Sequence, residues 1–379
     1  KIMFIYFFLF GIIFLGLYFY YNKKNYFNNF YLFSYLFFLS FFIGFRFNVG
    51  GDFFSYFNHI PVGDYDKTGL PKELSTNQYN YTLFELMMIF SNLLNTKVYL
   101  ANFFSALFFS MSLYFFVIKR PLPWFALIIA YPVLIMVLGM GFVRQGIALS
   151  FLLFAFNSLQ HNKYFKYILL IIIGSLFHIT ILFFILLIFT KIKSIKISYL
   201  LIFLLILLIS LLNVDFDQFQ RLIQYYILDD SKPTSRGGII RLTINIIPVF
   251  FFLKYYNNFK LYSADFLLLR YLCFFSIIVF LVSLIFPIST IADRIGLYLI
   301  PFQMIIYTNL IKFTHDIKLK FIYISLIFLF YFVILFTWFN FADNSFSWLP
   351  YQNILLINIG DLTDHISSDS NIRRLFLKD

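Results

Sequence analysis

Long apolar blocks, separated by short stretches that hold most of the lysines, run the length of this chain. A helix needs roughly 17–25 apolar residues to cross a bilayer, fewer where protein replaces lipid around it. Blocks of that kind fall at 2–21, 30–45, 98–118, 121–139, 145–159, 197–212, 239–253, 264–286, 295–311 and 322–340. Segment 167–190 is equally apolar but is interrupted by Gly174, Ser175 and His178, and segment 81–94 is short and carries Glu85. The pattern predicts an all-α polytopic integral membrane protein of about ten to twelve transmembrane helices. It also predicts a single transmembrane domain over 1–379, with outer loops at 46–80 and 213–238. The first block, Ile2–Tyr21, is too long for a signal-peptide core and lacks a small-x-small cleavage site, so it reads as a retained span.

Lysine-rich loops set the orientation. Lys23/Lys24, Lys119/Arg120, Lys163/Lys166, Lys191/Lys193/Lys196, Lys254/Lys260 and Lys312/Lys318/Lys320 share one side only if 167–190 makes an even number of crossings. The charges therefore predict a re-entrant hairpin with His178 near its tip. That side holds thirteen lysines and one arginine, whereas nine of the ten arginines and every acidic residue except Asp316 lie in outer loops, at outer span ends or within the membrane. Lysine on the inside is topology. Arginine and carboxylate gathered elsewhere need another account, because intramembrane ionisable groups are costly.

Composition closes off the other classes. The chain of 379 residues is 61% apolar and 12% charged, with a mean hydropathy of +0.85. No soluble fold of that length could cover such a surface. A net charge of +12 points to nucleic acid only when the cations cluster on a soluble face; here they sit between apolar blocks, as topology and anionic lipid require. One cysteine, Cys273, excludes a disulfide framework or a cysteine metal site.

The candidate chemistry lies in short motifs. Arg46 and Asp52 stand in GFRFNVGGDFFSY, where Gly50-Gly51 permits a turn that brings them together, with Tyr56 one turn on. Arg144 and Gln145, in GMGFVRQGIALS, follow Gly139 and Gly141, so Arg144 opens a new helix whose free N–H groups favour an anion. His178, in GSLFHITIL, is flanked by apolar sequence on both sides. It suits a general base or a donor to a phosphate or sugar hydroxyl. Asp293 and Arg294, in IADRIGLYLIP, precede Tyr298 by about one turn and point apart on a helix, which argues against a simple ion pair between them. Arg236 and Arg241 flank Gly237-Gly238; Arg270 with Asp265 reads as a structural pair. Asp64-Tyr65-Asp66 has the spacing of some cation-binding sites, a match common by chance. No phosphate-binding glycine loop, zinc-binding His-Glu motif or nucleophile elbow is present.

Taken together and in order, R…GGD…Y, VRQGIA, GSLFHITIL and ADRIGLY resemble the EpsG/Wzy group of bacterial polysaccharide polymerases, from about Arg46 to Tyr298, with Trp348–Tyr351 also family-like. Gly-Gly before Asp52 departs from the single glycine expected there. The resemblance implies a C-type, membrane-embedded glycosyltransferase acting at the outer face of the bacterial cytoplasmic membrane. Donor and acceptor would be oligosaccharides on undecaprenyl diphosphate, with membrane lipid and a chain-length-regulating membrane protein as further partners, and no nucleic acid and no cofactor. Arg46, Arg144, Arg236, Arg241 and Arg294, with Gln145 and Tyr298, would bind substrate or diphosphate without a metal. Asp52 and His178, then Asp293, are the base candidates; Tyr56, Tyr225 and Tyr226 offer flat faces to sugars. The competing expectations are a flippase for the same lipid-linked oligosaccharide, an O-antigen ligase and a membrane O-acyltransferase.

Overall fold

The computed structural model describes residues 3–22, 26–58, 83–190, 238–263, 266–285 and 289–356. Among these, helices account for nearly all the regular structure, no strand occurs, and a single bridge joins Arg46 to Asn353. The helices are α1 (Phe4–Asn22), α2 (Tyr26–Gly44), α3 (Phe53–Asn58), α4 (Leu83–Leu93), α5 (Tyr99–Val117), α6 (Pro123–Ala130), α7 (Val143–Gln160) and α8 (Tyr164–Ser175). They continue as α9 (Gly238–Lys254), α10 (Tyr256–Tyr262), α11 (Phe266–Ile285), α12 (Ser289–Leu297), α13 (Ile300–Phe313) and α14 (Ile317–Phe341). The chain is a multi-pass, all-α membrane protein.

Five described segments are long and apolar enough to cross a membrane: Phe4–Tyr21, Tyr99–Val117, Phe266–Leu284, Ala292–Phe313 and Ile317–Phe341. The pair α9 and α10, bent by 79° at their junction, makes a sixth if counted as one span. Asn28–Gly44 and Pro123–Gly139 are shorter apolar helices. Nine of the ten predicted spans fall on these helices or on α7; the tenth, 197–212, lies outside the described residues.

Two segments form the centre. Every residue of Pro123–Gly139 is buried, and so is all of Ala292–Phe313 except Arg294 and Lys312, against only Ile327, Tyr331, Leu335 and Phe339 in α14 at the perimeter. A helix that is apolar on all sides is stable only when neighbours surround it. Within the first of these, Tyr131–Gly139 widens to π-helical turns; Pro132 has no N–H to give to a regular α-helical ladder. Lipid offers no hydrophobic drive to pair helices, so packing and buried hydrogen bonds do that work. Tyr131 donates to the Tyr6 carbonyl at 2.7 Å, tying α1 to this central segment.

Segment 164–190 doubles back. The twelve residues of α8 rise about 18 Å, and a 3-10 stretch at Ile179–Thr190 follows, so neither half spans a hydrocarbon core of about 30 Å unaided. Ile181 lies against Gly174, where an added Cβ would stand 2.7 Å from its Cδ1, and the Tyr167 hydroxyl donates to the Phe184 carbonyl. The two halves are therefore antiparallel about a turn at Ser175–His178, as the lysine distribution required.

Candidate active site

In α7 and α9 an arginine stands near the first residue and the basic loop at the other end. Arg241 and Lys254 are thirteen residues apart on α9, or about 20 Å along the axis. Arg144, the second residue of α7, is as far from Asn157, which bonds Lys119. The arginine motifs thus share the end of the bundle opposite the lysines.

The turn after α2 is built around a buried arginine. Arg46 is 0% exposed; its Nε donates to the Val49 carbonyl at 3.0 Å and Nη1 to the Ile43 carbonyl at 2.6 Å, while Nη2 has no hydrogen-bond partner among the described residues. Gly50 sits at φ +101°, and a Cβ there would meet the Met140 carbonyl oxygen at 2.1 Å. Only glycine takes this position without strain. A strap from the far end of the chain then locks the turn. Gly50 N–H donates to Ser347 (2.8 Å), Phe47 N–H to Gln352 (2.9 Å), and the Trp348 indole to Met136 (2.9 Å). Trp348–Tyr351, family-like in sequence, is part of that strap.

This turn presents Asp52 one helical turn before Tyr56. The Tyr56 hydroxyl donates to Asp52 Oδ2 at 2.8 Å and accepts from Arg144 Nε at 3.2 Å; the Arg144 guanidinium carbon lies 5.6 Å from the Tyr56 ring centre. Asp52 and Arg144 are therefore joined through Tyr56. Burial raises the Asp52 carboxyl above its ordinary range, opposed by the Tyr56 hydrogen bond and the charges of Arg294, Arg144 and Arg46. Burial and the neighbouring Asp52 charge push the Tyr56 hydroxyl up. The sequence expected Asp52 beside Arg46; Arg46 acts on it electrostatically, but its two bonded nitrogens go to main-chain carbonyls.

A second arm comes from α12. Gln145 Nε2 donates to the Arg294 carbonyl at 2.6 Å, and Arg294 Nη1 donates back to Gln145 Oε1 at 3.2 Å. The Arg294 guanidinium lies 4.1 Å from the centre of the Phe142 ring. Asp293 turns the other way and takes both nitrogens of an Arg241 fork, Nε and Nη2, each at 2.6 Å. Asn245 donates to the Gly296 carbonyl at 3.0 Å and accepts from Gln303 at 2.5 Å, and Tyr331 donates to Gln303. This buried polar chain fixes α12 against α9 and α13.

The hairpin tip completes the cluster. His178 Nδ1 is 2.7 Å from the Thr180 hydroxyl, which donates to the Tyr298 hydroxyl at 3.4 Å. Arg294 and Arg144 both act electrostatically on His178. The Leu83 N–H donates to the Leu176 carbonyl at 3.2 Å, so α4 begins at the tip, and Glu85 in its first turn adds to the field at Arg144.

Asp52, Tyr56, Arg144, Gln145, His178, Asp293, Arg294 and Tyr298 are thus brought to one place, with Arg241 bound to Asp293. Arg46 stands beneath as a fastening. Arg236, Tyr225, Tyr226, Asp64, Asp66 and Asp265 lie outside the described residues; Arg270 lies 5.8 Å from the Tyr271 ring centre, away from the cluster's bonds. Sequence reasoning missed Phe142, Thr180, Asn245 and Gln303. For the last two a signal existed, since neutral polar residues inside apolar blocks also need partners. Among the described residues no three of His, Cys, Asp and Glu are placed to hold a metal ion. What converges is cationic: two arginines, at an α7 start whose N-cap Phe142 gives no side-chain cap, beside one carboxylate with a raised proton affinity. Such a set can hold an anion and take a proton.

A protein-family model described as the EpsG family matches residues 29–353, a span from α2 through the strap that takes in the whole site. No curated protein and no solved structure matches the chain.

Proposed function

The chain belongs to the EpsG family, which assigns it a polymerase-type role in polysaccharide synthesis, and on that premise we propose that it is a membrane-embedded glycosyltransferase. Its donor is a growing glycan on undecaprenyl diphosphate, and its acceptor a sugar hydroxyl of the next lipid-linked repeat unit. The reaction takes place at the outer face of the cytoplasmic membrane. The observation that carries this reading is the convergence of Arg144 and Arg294 on Asp52, with Tyr56 bridging two of the three.

The chemistry follows from that set. The bond from the anomeric carbon to the diphosphate oxygen breaks, and charge builds on the leaving phosphate. Arginine forks match phosphate oxygens bidentately and stabilise that charge where water is excluded. Arg144 and Arg294 serve this role, with the first-turn N–H groups of α7, which no side chain caps, beside them. The acceptor oxygen forms the new bond to the anomeric carbon and gives its proton to Asp52, whose proton affinity burial has raised. Tyr56 orients that carboxylate. His178, tied to Thr180, binds a sugar hydroxyl at the tip of the hairpin. Arg241 and Asp293 hold α12 in register, so their part is to position Arg294.

The test is an in vitro reaction with the purified chain in detergent, the lipid-linked repeat unit and no nucleotide sugar. A ladder of products resolved on a gel, formed also in EDTA, supports the reading. If no ladder forms and the protein instead moves the intact lipid-linked unit across a liposome bilayer, the reading fails and the arginines belong to a transport path.

A further inference from the structure

At the end of the bundle away from the active site, the last turns of α5 and α7 enclose a cavity of about 210 Å³. Lys119 and Arg120 line it together with Asn157, Gln160, Phe115 and Phe154. Arg120 is 8% exposed, its Nε donates to the Phe116 carbonyl at 3.3 Å, and its guanidinium carbon sits 4.8 Å from that ring centre. Lys119 is exposed and donates to Asn157 Oδ1.

Cations at a helix C-terminus compensate its dipole, and one cation would be explained that way. Two adjacent ones are held here beside a hollow with no carboxylate among the described residues of its wall. Partial desolvation of the otherwise exposed Lys119 and the neighbouring Arg120 charge lower its proton affinity, a cost that a bound anion would relieve. Four phenylalanines and Leu153 make the rest of the wall largely apolar, with Ser112 as the one further polar lining residue, and Phe115 is 45% exposed on the outer flank of α5. A soluble anion has no use for that flank; an acyl chain does. Basic pockets between helices on the lysine-rich side of a membrane protein suit anionic head groups.

We propose that this cavity binds the phosphate head group of an anionic phospholipid of the inner leaflet. Lys119 and Arg120 face the phosphate, Gln160 faces the glycerol end, and the chains run down over Phe115 and Phe154. The site is independent of the glycosyl-transfer centre, about 20 Å away along α7, and stands whether or not that reading holds.

Native mass spectrometry of the full chain in detergent, titrated with phosphatidylglycerol or phosphatidylcholine, tests it. Phosphatidylglycerol should bind selectively, and the Lys119→Gln/Arg120→Gln double variant should bind it about thirtyfold more weakly, two cations at head-group level having been removed. Because that variant could be misfolded, Asn157→Asp is the sharper probe: it keeps the Lys119 contact and puts a negative charge in the cavity. It should bind phosphatidylglycerol about fivefold more weakly with a melting temperature equal to or above that of the parent. Equal binding of the two lipids, unchanged binding by Asn157→Asp, or displacement of the lipid by inorganic phosphate at equal concentration would each overturn the proposal.

Discussion

Gln145 and Arg294 hold each other reciprocally, the amide donating to the arginine's own carbonyl while the guanidinium donates back to the amide oxygen. They are 149 residues apart in sequence. The start of α7, with Arg144, is thereby tied to α12, with Arg294, so the two cations assigned to the diphosphate are spaced by one side chain. Gln145→Ala should lower turnover by roughly 10²-fold, the cost of about 1 Å of misplacement. Gln145→Glu, which still accepts from Arg294, should lose less. Initial rates of polymer formation by the two variants check the order.

The acid limb of the pH–rate profile belongs to Asp52. Its carboxyl titrates above the ordinary range, so activity should fall as the pH drops through that raised value, when the base becomes protonated. The Tyr56 hydrogen bond stabilises the ionised form and holds the value down. Tyr56→Phe should therefore move the acid limb to higher pH. Rates measured from pH 4 upward would show a shift in the opposite direction, or none, if Asp52 were not the base.

Gly50 and Gly174 both face close neighbours, but with different consequences. At Gly50 the neighbour is the Met140 carbonyl oxygen, and the backbone is left-handed. At Gly174 the nearest atom is the end of the Ile181 side chain, which can rotate away, and Phe151 Cβ, at 3.1 Å, needs to give by only a few tenths of an ångström. Gly50→Ala should destabilise by about 2–4 kcal/mol, and Gly174→Ala by about 1 kcal/mol or less. Thermal unfolding in detergent separates them.

The Arg241–Asp293 pair lies partly open, with side chains 21% and 11% exposed. Removing either partner should cost about 1–3 kcal/mol, and the two losses should not add in the double variant. A double-mutant cycle on melting and on rate measures the coupling. The rate loss should exceed the stability loss, because α12 also carries Arg294.

Much of this site was legible because ionisable residues stand out in apolar sequence. Asp52, Arg144, His178 and Arg294 each interrupt an apolar run, and the glycines around Arg144 and His178 marked the breaks where both residues sit. Tyr56 was visible too, four residues after Asp52 on a short helix. What the sequence could not supply is which helices are neighbours. The Arg241–Asp293 pair joins residues 52 apart, and the burial of Arg46 depends on a strap some 300 residues downstream. The hairpin was recoverable because topology constrains charge globally, whereas a hydrogen bond is settled locally by packing. Asn245 and Gln303 carry less signal because a neutral polar side chain in a span can be satisfied by its own helix, as Ser276 and Thr308 are. Yet they fasten α12 to the core.

The most direct test of the active centre is a single-turnover transfer with Asp52→Asn, run beside a binding measurement with the lipid diphosphate. Asparagine keeps the shape and a hydrogen bond to Tyr56 but cannot take the acceptor's proton. Donor affinity should stay close to that of the parent while the transfer rate falls by roughly 10²–10⁴-fold, the usual worth of a general base. Transfer at the parental rate by Asp52→Asn would contradict the account.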